Sequence, residues 1–197
     1  NDTLTGTTGD DTVLGLGGNG LLIGDAGADL LQGDTGSDTL NGGAGNDSLD
    51  GGAITDRINY TDLNVVVYSS ATTGVNVNLQ TGTASDGLGG TDTLANLNFV
   101  VGSAQNDTLT GSSTANLFEQ FEGGEGNDTI DGGAIDAINQ QNSNRVNYSS
   151  ATGAVTVNLA TGVATGAGTD TLININHVRG SNTGDTLTGS NSSLTEQ

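Results

Sequence analysis

The sequence predicts an all-β solenoid of short strands and glycine turns, and three observations predict it. Aliphatic residues recur every nine positions, at Leu4, Val13, Leu22, Leu31, Leu40, Leu49 and Ile58. Two residues before each stands an acid, with one exception: Asp2, Asp11, Gly20, Asp29, Asp38, Asp47 and Asp56. Four residues before each stands Gly9, Gly18, Gly27, Gly36 or Gly45, and then Ile54 in the last repeat. Counted from the first glycine of each nonapeptide, these are positions 8, 6 and 4. A period of nine is too short for a helix pair and suits a six-residue turn followed by a strand of about three residues.

The strand and the turn each follow from their residues. The position-8 aliphatic points inward while its neighbours point out, and glycine permits positive φ in the turn. Two nonapeptides make one 18-residue coil with a strand on each side. Leu4, Leu22, Leu40 and Ile58 are then expected to stack on one side, and Val13, Leu31 and Leu49 on the other. Each burial contributes about 1.5–3 kcal/mol, which is thin against the entropy of ordering nine residues.

Composition pulls the other way. The 197 residues include 34 Gly, no Pro, Cys, Met or Trp, and 23 acids against three bases, for a net charge of −20. Leu, Ile, Val and Phe make up about 22% of the chain, a level at which an acidic chain is expected to be disordered. Arg57, Arg145 and Arg179 cannot form a basic patch, so nucleic acid is excluded as a default partner and anionic membrane surfaces are disfavoured. Without cysteine there is neither a disulfide framework nor a thiolate metal site. No apolar run reaches membrane-spanning length, and none of the chain is expected to be a signal peptide. The chain starts inside a repeat without an initiator Met, and is expected to be a window cut from a longer protein.

The acids explain how such a chain folds. Successive coils stack at about 4.8 Å, so position-6 carboxylates on one edge fall into a file. Two charges at that spacing repel by about 3.5 kcal/mol at an effective dielectric of 20. The file is unstable unless a cation lies between coils. Carboxylates with backbone carbonyls form a hard-oxygen donor set that suits Ca²⁺. Zn²⁺ would want His or Cys, and His177 stands alone. One edge carries Asp11, Asp29 and Asp47. The other carries Asp2, Gly20, Asp38 and Asp56, where Gly20 breaks the file and Asp38 with Asp56 forms one further candidate site.

GGAGNDSLD at 42–50 and GGEGNDTID at 123–131 match the pattern GGxGxDxUx in full, and GDAGADLLQ and GDTGSDTLN match it closely. This pattern resembles the RTX (hemolysin-type) calcium-binding nonapeptide family. The resemblance implies a parallel β-roll with Ca²⁺ held between successive turns. It implies ligands from position-6 side chains, here also Asp128, Asp107, Asp92, Asp170 and Asp185. The turn carbonyls join them, with Gly24, Gly27, Gly33, Gly36, Gly42 and Gly45 as turn positions. It further implies type I secretion and an extracellular or cell-surface location.

The second half repeats the first. Tyr68–Ser112 aligns with Tyr148–Ser190 with one two-residue gap, and GGAITDRINY aligns with GGAIDAINQQNSNRVNY. In this alignment Arg57 matches Arg145 as a surface ion-pairing residue, and Tyr60–Val67 is an eight-residue extra of the first copy. His177 takes the place of Phe99 as a rung side chain, and Gln120–Glu122 is an insert. Tyr60, Tyr68 and Tyr148 read as edge or core aromatics. VNVNL and VTVNL alternate as half-buried strands, and GLGGTDTLA at 87–95 keeps the nonapeptide phase. The expected segments are a nonapeptide β-roll at 1–59 and a longer solenoid block at 60–110. A short repeat stretch with insertions follows at 111–144, a second long block at 145–190, and the start of a third unit at 191–197. The long blocks are expected to continue the solenoid with wider rungs; a hairpin or small sandwich packed on the roll is the alternative.

No nucleophile triad, HExxH or P-loop is present, and acids are too abundant for any glycosidase-like pair to carry information. The chain is therefore expected not to be an enzyme. It is expected to be a calcium-binding structural segment of a secreted or cell-surface protein, of adhesin or surface-layer type, that folds on Ca²⁺ binding after export. The alternative is the calcium-binding C-terminal module of a secreted protease, lipase or alginate epimerase. Ice binding would need regular outward Thr and Asn ranks, and position 3 (Thr8, Gly17, Ala26, Thr35, Ala44, Ala53) supplies none. Partners beyond calcium ions are end-to-end copies of the chain or a cell-surface polysaccharide.

Overall fold

Most nonapeptide strands are three-residue ladder rungs with the middle side chain turned inward, and two of them, on the first side of the roll, run on to six residues. The computed structural model describes residues 1–55, 61–114, 116–134 and 143–190. The first coils comprise β1 (Thr3–Thr5), β2 (Thr12–Leu14), β3 (Leu21–Ala26), β4 (Leu30–Gln32), β5 (Thr39–Ala44), β6 (Ser48–Asp50) and β7 (Val65–Val67). Odd-numbered strands pair in parallel in one sheet and even-numbered strands in a second. The fold is a parallel β-roll. Leu4, Leu22 and Leu40 stack in register in the first sheet, and Val13, Leu31 and Leu49 in the second. One expectation is corrected: the partner of Leu40 is Val66, so Val66 occupies the rung assigned to Ile58. Ile58, Asp56, Arg57 and Tyr60 lie outside the described residues, as does the segment 191–197.

The long blocks use the same two sheets in a different way. After β7 come β8 (Asn76–Asn78), β9 (Thr83–Ser85), β10 (Thr91–Ala95), β11 (Phe99–Val101), β12 (Thr108–Thr110), β13 (Phe118–Glu122) and β14 (Thr129–Asp131). They are followed by β15 (Ser143–Asn147), β16 (Thr156–Asn158), β17 (Val163–Thr165), β18 (Thr169–Ile173), β19 (His177–Arg179) and β20 (Thr186–Thr188). In the first block the chain lays β8 ahead, turns back through antiparallel β9, and sets β10 in parallel beside β6. β12 later pairs with β8. The second block repeats this with β16, β17 and β18. The blocks are neither wide rungs nor a packed sandwich. They are antiparallel meanders inside the second sheet, which among the described residues has 12 strands against eight in the first. Each meander widens the second sheet by two strands, about 10 Å, with no matching strands opposite among the described residues.

Tyrosine helps fill the interior of each wedge. Tyr68 and Tyr148 follow β7 and β15 and are buried. Their hydroxyls donate to Asp92 (3.0 Å) and Asp170 (2.8 Å). These acids point inward opposite the small Ala84 and Ala164. Removing the Tyr68 hydroxyl leaves a buried carboxylate oxygen short of a donor, which costs about 1–3 kcal/mol. Tyr68→Phe is therefore expected to lower the denaturant midpoint measured in saturating Ca²⁺, and an unchanged midpoint would show that the hydroxyl is dispensable.

Register also corrects the alignment of the two copies. Val66 and Val146 hold equivalent rungs beside Val100 and Val178. NVVVY at 64–68 thus matches NRVNY at 144–148, and the counterpart of Arg145 is Val65 rather than Arg57. Arg145 donates to Gln120 and lies 4.9 Å from the Phe118 ring centre. Gln120–Glu122 is not an insert: Phe121 continues the inner stack between Val100 and Val146. The added residues lie earlier, in the turn that follows Gly111. His177 and Phe99 do begin equivalent strands.

Candidate metal centres

The position-6 side chains form a hydrogen-bonded ladder along each edge of the roll. On the second-sheet edge, the amide of Asp11 donates to Asp29 Oδ1 (2.8 Å), that of Asp29 to Asp47 (2.9 Å) and that of Asp47 to Asp92 (3.0 Å). The ladder resumes with Asp107 to Asp128 (2.9 Å) and Asp128 to Asp170 (3.1 Å). One carboxylate oxygen is thus used to join coils. What the second oxygen does separates the acids into three groups.

In the first group the turn closes on itself. Thr7 donates its amide (2.6 Å) and hydroxyl (2.8 Å) to Asp11 Oδ2. The amide of Ser103 donates to Asp107 Oδ2 (2.6 Å) and its hydroxyl to Oδ1 (2.7 Å). The Ser181 hydroxyl donates to Asp185 (2.6 Å). A hydroxyl residue at position 2 is the sequence mark of this group. In the second group, Asp92 and Asp170, the second oxygen takes the tyrosine hydroxyl.

The third group is Asp29, Asp38, Asp47 and Asp128. Each has a buried Oδ2 with no hydrogen-bond partner. Position 2 of their turns is Asp25, Asp34, Gly43 or Gly124, all with φ between 68° and 100°. That left-handed geometry is where these turns depart from the closed ones, in which the position-2 amide caps the carboxylate. A β-carbon added to Gly24 would collide with both Asp29 Oδ2 and the carbonyl oxygen of Gly42 in the next coil. The two oxygens therefore face one point between coils. An ionised oxygen buried without a partner is costly, and a hard cation removes that cost. The donor set is all oxygen, and no cluster of three or more acid or imidazole side chains occurs among the described residues. Any cation must then draw on backbone carbonyls, as Ca²⁺ with six to eight oxygen ligands does. The residues fit Ca²⁺.

The first-sheet edge changes character along its length. The amide of Gly20 donates to Asp38 Oδ1 (2.6 Å), and that of Asp38 to Asn64 Oδ1 (3.2 Å). Asn64 therefore takes the ladder place expected for Asp56. Asn98 follows it, and Asn176 caps Asn144 in the second copy. Asn64 Nδ2 donates to the carbonyls of Gly52 (3.3 Å) and Asn96 (3.1 Å), and Asn144 Nδ2 donates to that of Gly132. An amide group thus bonds turn carbonyls that a cation would otherwise attract. Sequence reasoning missed this ladder because asparagine replaces aspartate in it: Asn64 lies outside the nonapeptide phase, while Asn98 and Asn176 stand nine residues before Asp107 and Asp185 but carry no charge. It missed Glu119, nine residues before Asp128, because the added residues after Gly111 shift it out of phase with the repeats upstream. Glu119 sits in register with Asn144 on the same edge, accepting the Ser112 amide at 3.0 Å on both oxygens.

Burial raises the proton affinity of these groups. It pushes Glu119 up to about 7 against the Ser112 hydrogen bonds. Asp128 is pushed up to about 7, by burial first and then by the charges of Asp170 and Asp107, against the pull of the Asp107 amide. Asp38 and Asp47 are also raised, chiefly by burial. Asp92 reaches about 6, with the Asp47 amide and Tyr68 hydroxyl holding it down. Without a cation, burial favours the protonated form of Asp38, Asp47 and Asp128.

Comparison with known protein families places the RTX calcium-binding nonapeptide repeat on this chain in four copies, over residues 1–31, 23–58, 97–119 and 116–134. The matched stretches contain all four open carboxylates. No curated protein matches the chain.

Proposed function

From the premise that this chain carries RTX calcium-binding nonapeptide repeats, we propose that it is a non-catalytic structural segment of a secreted or cell-surface protein, of adhesin or surface-layer type. On this reading it folds when Ca²⁺ binds outside the cell. The observation that carries the reading is the set of four buried, unpartnered oxygens on Asp29, Asp38, Asp47 and Asp128. These four are the side-chain ligands, with turn carbonyls such as that of Gly42 completing each site. Asp11, Asp107 and Asp185 have closed turns and Asp92 and Asp170 have tyrosine or amide donors on both oxygens, so these five are structural rather than ligating. The bound ion neutralises the carboxylate files and draws adjacent coils together. The internal duplication supports a repetitive surface element over the module of a secreted enzyme.

Calcium titration by calorimetry tests the assignment. Asp29→Asn, Asp38→Asn, Asp47→Asn and Asp128→Asn are each expected to remove or weaken one site at least tenfold, while Asp11→Asn and Asp107→Asn keep the full number. Equal losses in both sets would overturn it. The pH dependence has a definite sign. Asp128 must lose its proton to bind a cation, so affinity at that site falls about tenfold per pH unit below about 7. In chelator the sign reverses. The raised values of Asp128 and Glu119 stabilise the fold at acid pH, and that stability is lost as pH rises through about 7. Unfolding midpoints at pH 5 and 8, with and without Ca²⁺, check both signs.

A further inference from the structure

Asp86 is a buried acid that belongs to neither ladder. Asp86 lies in the first long block between β9 and β10, outside the nonapeptide phase, and is fully buried. Its Oδ1 accepts the amides of Leu88 (2.9 Å), Gly89 (2.9 Å) and Gly90 (2.8 Å). Its Oδ2 has no partner. Three amides on one oxygen hold the carboxylate rigidly and aim the other oxygen inward.

The aim is toward the last nonapeptide turn of the roll. A β-carbon on Gly90 would lie 2.8 Å from Asp86 Oδ2 and would overlap the carbonyl oxygen of Gly45. The two oxygens therefore stand within about 5 Å of each other, a separation that one Ca²⁺ with bonds of 2.3–2.6 Å can bridge. Gly45 belongs to the turn that ends in Asp47, whose Oδ2 is also buried and unpartnered. The amide of Asp47 is bonded to Asp92 in the same block as Asp86.

We propose that Asp86 is a calcium ligand at the junction of the nonapeptide roll and the first long block, joining the Asp47 carboxylate and the Gly45 carbonyl around one ion. The inference rests on the calcium-binding reading above and deepens it. The second copy has no equivalent: residues 165–168 read Thr-Gly-Ala-Gly where the first copy reads Ser85-Asp86-Gly87-Leu88-Gly89-Gly90. The junction at Asp128 thus has one carboxylate fewer. The two copies of an otherwise duplicated unit differ in calcium affinity, with the tighter site at Asp47.

The test is a Ca²⁺ titration of the whole chain and of Asp86→Asn, which keeps an oxygen for the three amides. The wild type is expected to show one site at least tenfold tighter than the site at Asp128, and Asp86→Asn to lose that difference while the remaining sites titrate unchanged. Superimposable isotherms for the two proteins would overturn the inference and leave the calcium reading intact. A wild type that binds no Ca²⁺ would overturn both. Hydrogen exchange on the wild type gives a second arm that does not depend on the variant folding. The first equivalent of Ca²⁺ should protect the amides of residues 88–90, and protection arriving only with the last equivalents would count against the site.

Discussion

Chelating Ca²⁺ is expected to abolish most of the β-structure of the nonapeptide coils, and restoring Ca²⁺ but not Mg²⁺ should return it. The magnitude follows from linkage. At a hundredfold excess over Kd each site contributes about 2.7 kcal/mol to folding. Four sites then supply about 11 kcal/mol, comparable with the whole stability of an ordinary domain. The aliphatic stacks are thin, with one rung residue per strand, and the chain carries a charge of −20. Without the ion, Asp29, Asp38 and Asp47 leave three buried oxygens unpartnered within 19 residues of chain.

Loss of structure should be uneven. Coils closed by Asn64, Asn98 and Asn144 satisfy their turn carbonyls with side-chain amides, so they should keep more hydrogen-exchange protection in chelator than residues 24–47. Far-UV circular dichroism during a Ca²⁺ titration reads the first effect, and exchange resolved by segment reads the second. A spectrum unchanged in chelator would defeat the coupling of folding to calcium. Uniform loss of protection would instead show that the asparagine-closed coils lean on the calcium-bound ones. A chain that stays open at low Ca²⁺ and closes at high Ca²⁺ is suited to passing through a secretion channel before it folds.

Replacing Phe121 with alanine is expected to be the most damaging single change in the core. Phe121 is fully buried, in register between Val100 and Val146 on an interior strand of the first sheet. Truncating a buried phenylalanine costs about 3–5 kcal/mol. In a stacked architecture each coil is held mainly by its neighbours, so the loss also weakens the coupling between the two copies. Unfolding in saturating Ca²⁺ should shift to a lower midpoint and separate into two transitions. Leu16→Ala is the control: Leu16 is 66% exposed in its turn, and its loss should change stability by less than about 0.5 kcal/mol. A Phe121→Ala midpoint as close to wild type as that of Leu16→Ala would show that the first-sheet stack does not carry the fold.

Much of this was legible in the residues because the nonapeptide is a local device. Turn, rung and carboxylate lie within nine positions, so their phase is read directly from the spacing. The stacks of Leu4, Leu22 and Leu40 and of Val13, Leu31 and Leu49 followed from the period. So did the files of acids, Asp11, Asp29 and Asp47 on one edge and Asp2, Asp38 and Asp56 on the other, though not which of them stay open. Even the split between open and closed turns leaves a trace, since Thr7, Ser103 and Ser181 stand where Asp25, Asp34, Gly43 and Gly124 stand elsewhere. That trace acquires meaning only once the position-2 amide and hydroxyl are seen capping the carboxylate.

Where spacing broke, phase was lost. The added residues after Gly111 hid Phe121 and Glu119, and the segment before Val65 hid Val66 and Asn64. The meanders escaped sequence reasoning for a deeper reason. β8, β9 and β10 have the same alternating pattern whether they run parallel or antiparallel, because the side-chain period is two in both cases. The sequence by itself determined the nine-residue repeat, the inward aliphatic rungs and an acidic file that calls for a hard cation. The tertiary structure alone decided which strand lies beside which, and so which carboxylate oxygens receive a donor and which stay open. A hydrogen-bond partner 18 to 46 residues away along the chain is set by how coils stack, and stacking order is a property of the folded roll.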